Sequence, residues 1–210
     1  MPNSPRDGRF ELEFRPMKLS DNLTDAARLI YQTDDYIYPA LFGSVQTAET
    51  VLPEVIRRGE SCFRPDRFFA AVSGGRMAGL IYYIRRDFKW DAGLFLKAFQ
   101  EHGIAVPEHF YSAASAYFEK TQRDTGALKG IYILNVCVDS AMRNQGVGTG
   151  LLSAFSGRYP SEPISLHVLS DNTAAIRLYQ KFGFHIRKET TGYSPVPPHP
   201  RCYLMEKESC

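Results

Sequence analysis

Two rhythms of hydrophobic and polar positions run along this chain. Over residues 9–15, Phe10, Leu12 and Phe14 share one side and charged residues take the other. That is the period of a half-buried strand, closed by Pro16. Leu23, Ala26, Ala27, Ile30 and Tyr31 then fall at helical spacing after Ser20-Asp21, a region of capping side chains. The stretch Asp34-Asp35-Tyr36-Ile37-Tyr38-Pro39 interrupts that helix. A second helix is predicted over 47–58, burying Val51, Val55 and Ile56. Residues 68–72 and 77–84 read as strands joined through Gly74-Gly75, a pair suited to a tight hairpin.

Between 87 and 127 the rhythm turns helical twice. Leu94, Phe95, Ala98 and Phe99 fit one short helix; Phe110, Ala113, Ala114, Tyr117 and Phe118 fit another after Pro107. We read about 88–126 as a two-helix insertion. Residues 131–138 form a β-branched apolar run, long enough for a buried strand, and a glycine-bearing turn follows at 143–148. The next helix, over 149–155, presents Val147, Leu151, Leu152 and Phe155 on one face, with Gly157 as its terminator. A short strand at 164–169 precedes a helix over 172–182, ended by Gly183. Strands at 184–188 and 202–207 close the chain. The loop between them, 190–201, holds four of the thirteen prolines and is stiff. The predicted order is β-α-α-β-β-(insertion)-β-α-β-α-β-β.

Composition narrows the class. The 210 residues suffice for one domain with a sizeable core, at about 10–207. A net charge of +2 gives no reason to expect nucleic acid or an anionic membrane. No run approaches a membrane span, and the first ten residues lack a signal-peptide core. Cys62, Cys137, Cys202 and Cys210 form no CxxC pair and no metal spacing with histidine, so no metal is expected. Reduced thiols in a cytoplasm are the plain reading.

A strand, a glycine turn and a helix make an anion site. The first helix amides have no internal partners, and the helix dipole is positive there. Spacing then excludes two nucleotide motifs. A GxxxxGK[ST] loop needs lysine after its last glycine, where Thr149 stands; a GxGxxG fingerprint needs glycine where Leu151 stands. What remains is Arg143-x-x-Gly146-x-Gly148 after a strand. This resembles the pyrophosphate loop of the GNAT N-acetyltransferase superfamily. A second motif agrees: 172–184, NTAAIRLYQKFGF, is similar at every named position to the family's Asn-x-x-Ala-x-x-Leu-Tyr-x-Lys-x-Gly-Phe signature.

The resemblance implies an α/β (α+β) fold with a mixed, mostly antiparallel sheet flanked by helices. It implies an acyltransferase that moves an acetyl group directly from acetyl-CoA to a primary amine of a small molecule or peptide end. It further implies that Arg143, Asn144, Gln145, Gly146, Val147 and Gly148 hold the pyrophosphate, and that the backbone of Val136, Cys137 and Val138 meets the pantetheine arm. Asn172 is implied at that arm, against a plain helix-cap reading. Tyr179 is implied as the general acid for the leaving thiolate, against a core-aromatic reading that is compatible with it. Cys137 itself reads as a small buried hydrophobe rather than a nucleophile. A homodimer stays open, as does a non-catalytic module that only senses acyl-CoA.

No base is evident. The central strand offers Asn135 and no carboxylate before Asp139; Asp34, Asp35, Glu108, His109 and His199 have suitable chemistry but read individually as surface groups. By family topology, the insertion, the 190–201 loop and the 36–42 stretch converge on the acceptor side. Tyr36, Tyr38, Phe42 and Tyr193 are expected to give that mouth its aromatic character.

Overall fold

Strand β4, Ile131–Val138, is the axis of the molecule. In this computed structural model, residues 11–60, 62–85, 90–126, 130–192 and 199–209 are described, with backbone alone at 118 and 120–126. Tyr193 and Phe10 lie outside the described residues, as does Cys210. Chain order is β1 (Glu13–Pro16), α1 (Leu23–Tyr31), α2 (Ile37–Phe42), α3 (Val45–Arg58), β2 (Phe68–Ser73) and β3 (Arg76–Ile84). Then follow α4 (Ala92–Glu101), α5 (Phe110–Gly126), β4, α6 (Val147–Arg158), β5 (Ile164–Leu169), α7 (Thr173–Lys181), β6 (His185–Thr191) and β7 (Arg201–Lys207).

The strands form one sheet in the order β1-β2-β3-β4-β5-β7-β6. Every pairing is antiparallel except β4 with β5. The hairpin between β2 and β3 turns through Gly74 and Gly75, both at positive φ, which a two-residue turn of the twist-matched kind demands. Each face of the sheet carries its own core. Helices α1 to α5 cover one face with Leu29, Leu41, Val51, Phe95 and Phe99 among its buried side chains. Helices α6 and α7 cover the other with Leu151, Phe155, Ile176 and Tyr179.

Four expectations change. The stretch after α1 does break that helix, but it re-forms as α2 with Pro39 inside. Pro39 is the third residue of α2, where a helix amide has no acceptor to lose. Gly157 does not end α6, which runs on to Arg158. Asn22, not Ser20 or Asp21, caps α1, because Asp21 is taken by a two-pronged pair with Arg15 at 2.7 and 2.8 Å. The two helices between β3 and β4 exist as predicted, yet they are built into the larger core. Phe95, Phe99 and Phe110 are fully buried, and Phe95 packs on Phe42, Phe63 and Trp90.

Candidate active site

The site begins with an irregularity in β4. Its pairing with β3 jumps from Tyr82↔Asn135 to Tyr83↔Ile133, leaving Leu134 as an extra residue. Such a bulge bends a strand and disrupts the ladder locally. On its other edge β4 pairs with β5 only at Ile131, Tyr132 and Ile133. Beyond Ile133 the two parallel strands separate, and a cavity of about 190 Å³ opens there.

Backbone direction decides what faces this gap. The Asp139 N–H donates to the Ala78 carbonyl on β3 at 2.9 Å. Direction alternates along a strand, so Cys137 and Asn135 also turn their backbone groups toward β3. Val136 and Val138 turn theirs toward the gap, where no strand pairs with them. A buried polar group left so costs on the order of 1–3 kcal/mol. Of the three predicted backbone contacts, Val136 lines the gap; Val138 turns the same way beyond the cavity and its carbonyl accepts from Arg143, and Cys137 faces β3. The Cys137 side chain is packed in the α1 face, and burial pushes its thiol up to about 12.

The glycine turn follows at the end of the gap. Asn144 and Gly146 both have positive φ, which curls the chain into the first turn of α6. Gly146 caps α6 without a side-chain bond, and the first helical bond is Gly150 N–H to the Gly146 carbonyl. The amides of Val147, Gly148 and Thr149 have no acceptor among the described residues. They present aligned donors at the positive end of the helix dipole. A Cβ at Gly146 would meet nothing, so the approach to these amides is open. Arg143 is exposed and reaches back from Nε to the Val138 carbonyl at 3.3 Å. The Gln145 side chain donates to the Ala141 carbonyl at 2.9 Å and ties the loop down.

Helix α7 closes the far wall. Asn172 caps it by accepting from the Ala175 N–H at 3.1 Å and also lines the cavity. Tyr179 lines the cavity from the same helix, its ring tilted against Phe184 at 5.8 Å. Its hydroxyl has no hydrogen-bond partner among the described residues, and burial raises its pKa well above the ordinary phenol value.

At the other end the cavity becomes polar. Tyr38 donates to Asn135 Oδ1 at 2.7 Å, Asn135 donates to Thr33 Oγ1 at 2.6 Å, and Thr33 donates to the Ile30 carbonyl. Tyr132 and His167 Nδ1 are bonded at 2.7 Å, bridging β4 and β5 where their pairing stops. Asp34 is half-buried here, and its pKa is raised by burial, against two backbone amides and with help from neighbouring Asp35. Of the five chemically suitable bases, it alone lines the cavity; Asp35, Glu108, His109 and His199 are exposed.

The expected aromatic mouth is corrected in its members. Tyr38 lines the cavity; Phe42 is in the core, stacked on Tyr38 at 6.5 Å, and Tyr36 is outside the lining. Tyr117, Tyr132 and His167 line it and were not anticipated. A histidine in a mostly apolar strand, Ile164–Leu169, was the signal available for one of them.

This architecture has known counterparts. The model of the acetyltransferase (GNAT) family matches residues 44–184, more than half of the chain. A mycothiol acetyltransferase from Mycolicibacterium gilvum (strain PYR-GCK) is 29% identical over 40% of this chain; the match spans 34% of that relative's length. An N-acetyltransferase from Staphylococcus aureus Mu50 superposes with a TM-score of 0.60 at 18% identity, over 92% of this chain and 99% of its own. A structure of the NatC complex bound to Gag peptide and CoA gives 0.54 at 17% identity, over 95% and 99%. The splayed strands, the open amides before α6 and the family match agree, and the chain belongs to the GNAT acetyltransferase family, acyltransferases that use acetyl-CoA.

Proposed function

We propose that this protein transfers the acetyl group of acetyl-CoA directly to the primary amine of a small molecule or a peptide end. The observation that carries the reading is the gap between β4 and β5, with the backbone of Val136, which no strand pairs, on its wall. Acetyl-CoA supplies an activated acyl carbon on a thioester, and its pantetheine arm carries amide groups that suit such a wall. The free amides of Val147, Gly148 and Thr149 fit its pyrophosphate, with Arg143 beside them adding positive charge. Asn172 borders the arm from α7 while its Oδ1 caps the helix.

Tyr179 gives the leaving thiolate its proton. Its raised pKa keeps it protonated at neutral pH, as a donor must be. The same burial that weakens the phenol as an acid also destabilises a thiolate formed beside it, so the two basicities rise together. The mycothiol acetyltransferase and the peptide-bearing NatC structure supply one relative of each acceptor kind.

The test has two parts. Saturating acetyl-CoA should raise the melting temperature by mass action, while ATP and NAD should not. Release of CoA should then depend on an added primary amine. A melt that ATP or NAD shifts and acetyl-CoA does not would contradict the reading.

A further inference from the structure

We propose that Asp34 captures the acceptor as its ammonium form and takes its proton, and that the acceptor amine has no free carboxylate on the neighbouring carbon. The acceptor is then a simple amine, or an α-amine whose carboxyl is held in an amide. This inference rests on the acetyl-transfer reading and names the acceptor class within it.

Charge around the cavity carries the argument. Among its described lining residues Asp34 is the one carboxylate, and none is lysine or arginine. Asp35 adds to the negative character beside Asp34. A cation entering here meets one carboxylate and a set of phenols. An amino acid with its own carboxylate would bring a further anion beside Asp34 into a space that offers it no lysine or arginine, where the one histidine, His167, is already bonded through Nδ1 to Tyr132; that is costly.

The geometry of Asp34 leaves it free for this task. Its Oδ1 accepts both backbone amides that start α2, from Tyr36 at 2.7 Å and Ile37 at 2.6 Å. Its Oδ2 has no partner among the described residues. A second buried polar group shares the space. Tyr117 is 8% exposed and lines the same cavity. Its hydroxyl lies beside the Tyr38 phenol and interacts with it.

The proton count closes. One proton passes from nitrogen to Asp34 Oδ2 and later leaves to solvent, which frees the nitrogen lone pair. Nitrogen bonds to the acyl carbon as the carbon–sulfur bond breaks. The sulfur takes the Tyr179 proton, and the second proton lost by nitrogen restores Tyr179.

The test uses three acceptors with one side chain: 2-phenylethylamine, phenylalanine amide and phenylalanine. Phenylethylamine and the amide should support CoA release, with kcat/KM for phenylalanine lower by about 100-fold or more. Asp34→Asn keeps the Oδ1 cap and removes the charge. It should leave acetyl-CoA affinity unchanged and lower kcat/KM for both good acceptors by about 10²–10⁴-fold. Its melting temperature should be equal or higher, because burial of the carboxylate is relieved; a purely capping Asp34 would show no loss of turnover. Equal use of phenylalanine, or full turnover by Asp34→Asn, overturns the proposal. So does failure of all three acceptors in a protein that acetyl-CoA stabilises. A melt unmoved by acetyl-CoA instead overturns the transfer reading beneath it.

Discussion

Tyr179 is packed as a core aromatic and borders the cavity at the same time, because its ring and its hydroxyl answer to different surroundings. Tyr179→Phe keeps the ring, so stability and acetyl-CoA affinity should change little. Loss of the proton donor should lower kcat and kcat/KM together by about 10²–10⁴-fold where chemistry limits turnover. Steady-state CoA release beside a binding titration checks this, and a variant with full chemical turnover would leave Tyr179 a packing residue. Gly146 sits at φ 82 with open space where a side chain would go. Gly146→Asp puts a β-carbon in a strained conformation and a negative charge beside the free amides. Acetyl-CoA affinity should fall by at least ~100-fold in a calorimetric titration, and unchanged affinity in a folded variant would make the turn purely structural. Placement was legible where it lies in short motifs: 143–146 form the loop before α6, 147–148 open that helix two residues earlier than expected, and 172–184 carry α7 with its two ends. Tyr117 and Tyr132 were not, and Asp34 stood undistinguished among five candidate bases, because contacts across distant segments leave no local pattern.

Three elements meet at Gly79. A Cβ there would lie 2.7 Å from the Cys137 carbonyl oxygen, 3.0 Å from Leu151 and 3.3 Å from Val147. Glycine thus lets β3, β4 and the first turn of α6 approach closely, and α6 starts where its free amides face the gap. Gly79→Val should cost about 1–3 kcal/mol by overpacking, read as a lower urea midpoint. Acetyl-CoA should also bind more weakly, since Val147 must move; stability and affinity both unchanged would contradict this packing role. Element boundaries show where local signals fail. Pro39 reads as a breaker, but its position in α2 asks nothing of its missing N–H. Gly157 reads as a terminator, but it has ordinary φ and the helix passes through it. The bulge at Leu134 leaves no mark that distinguishes it from a plain strand, although it shapes the site.

At the scale of the molecule, one sheet with a core on each face holds β4 rigidly while its outer half is free to face a ligand. The alternation of strands and helices was legible because each element must bury one face, and the periodicity records it. How far 88–126 stands apart from the core was not legible, since periodicity says which residues are buried and not against what. Phe95, Phe99 and Phe110 each bury a full aromatic side chain against the α1–α3 face, roughly 1.5–3 kcal/mol apiece. Replacing residues 91–126 by a short turn should therefore abolish cooperative melting, as followed by near-ultraviolet circular dichroism. A cooperative melt in the shortened chain would show the two helices to be separable. The central claim is transfer itself: an acetyl group crosses from sulfur to nitrogen in the β4–β5 gap. Its most direct test is a single-turnover reaction with acetyl-labelled acetyl-CoA and an accepted amine, analysed by mass spectrometry. The account predicts label on the amine nitrogen and one free CoA thiol for each transfer; bound acetyl-CoA that stays intact, or label recovered only as acetate, would contradict it.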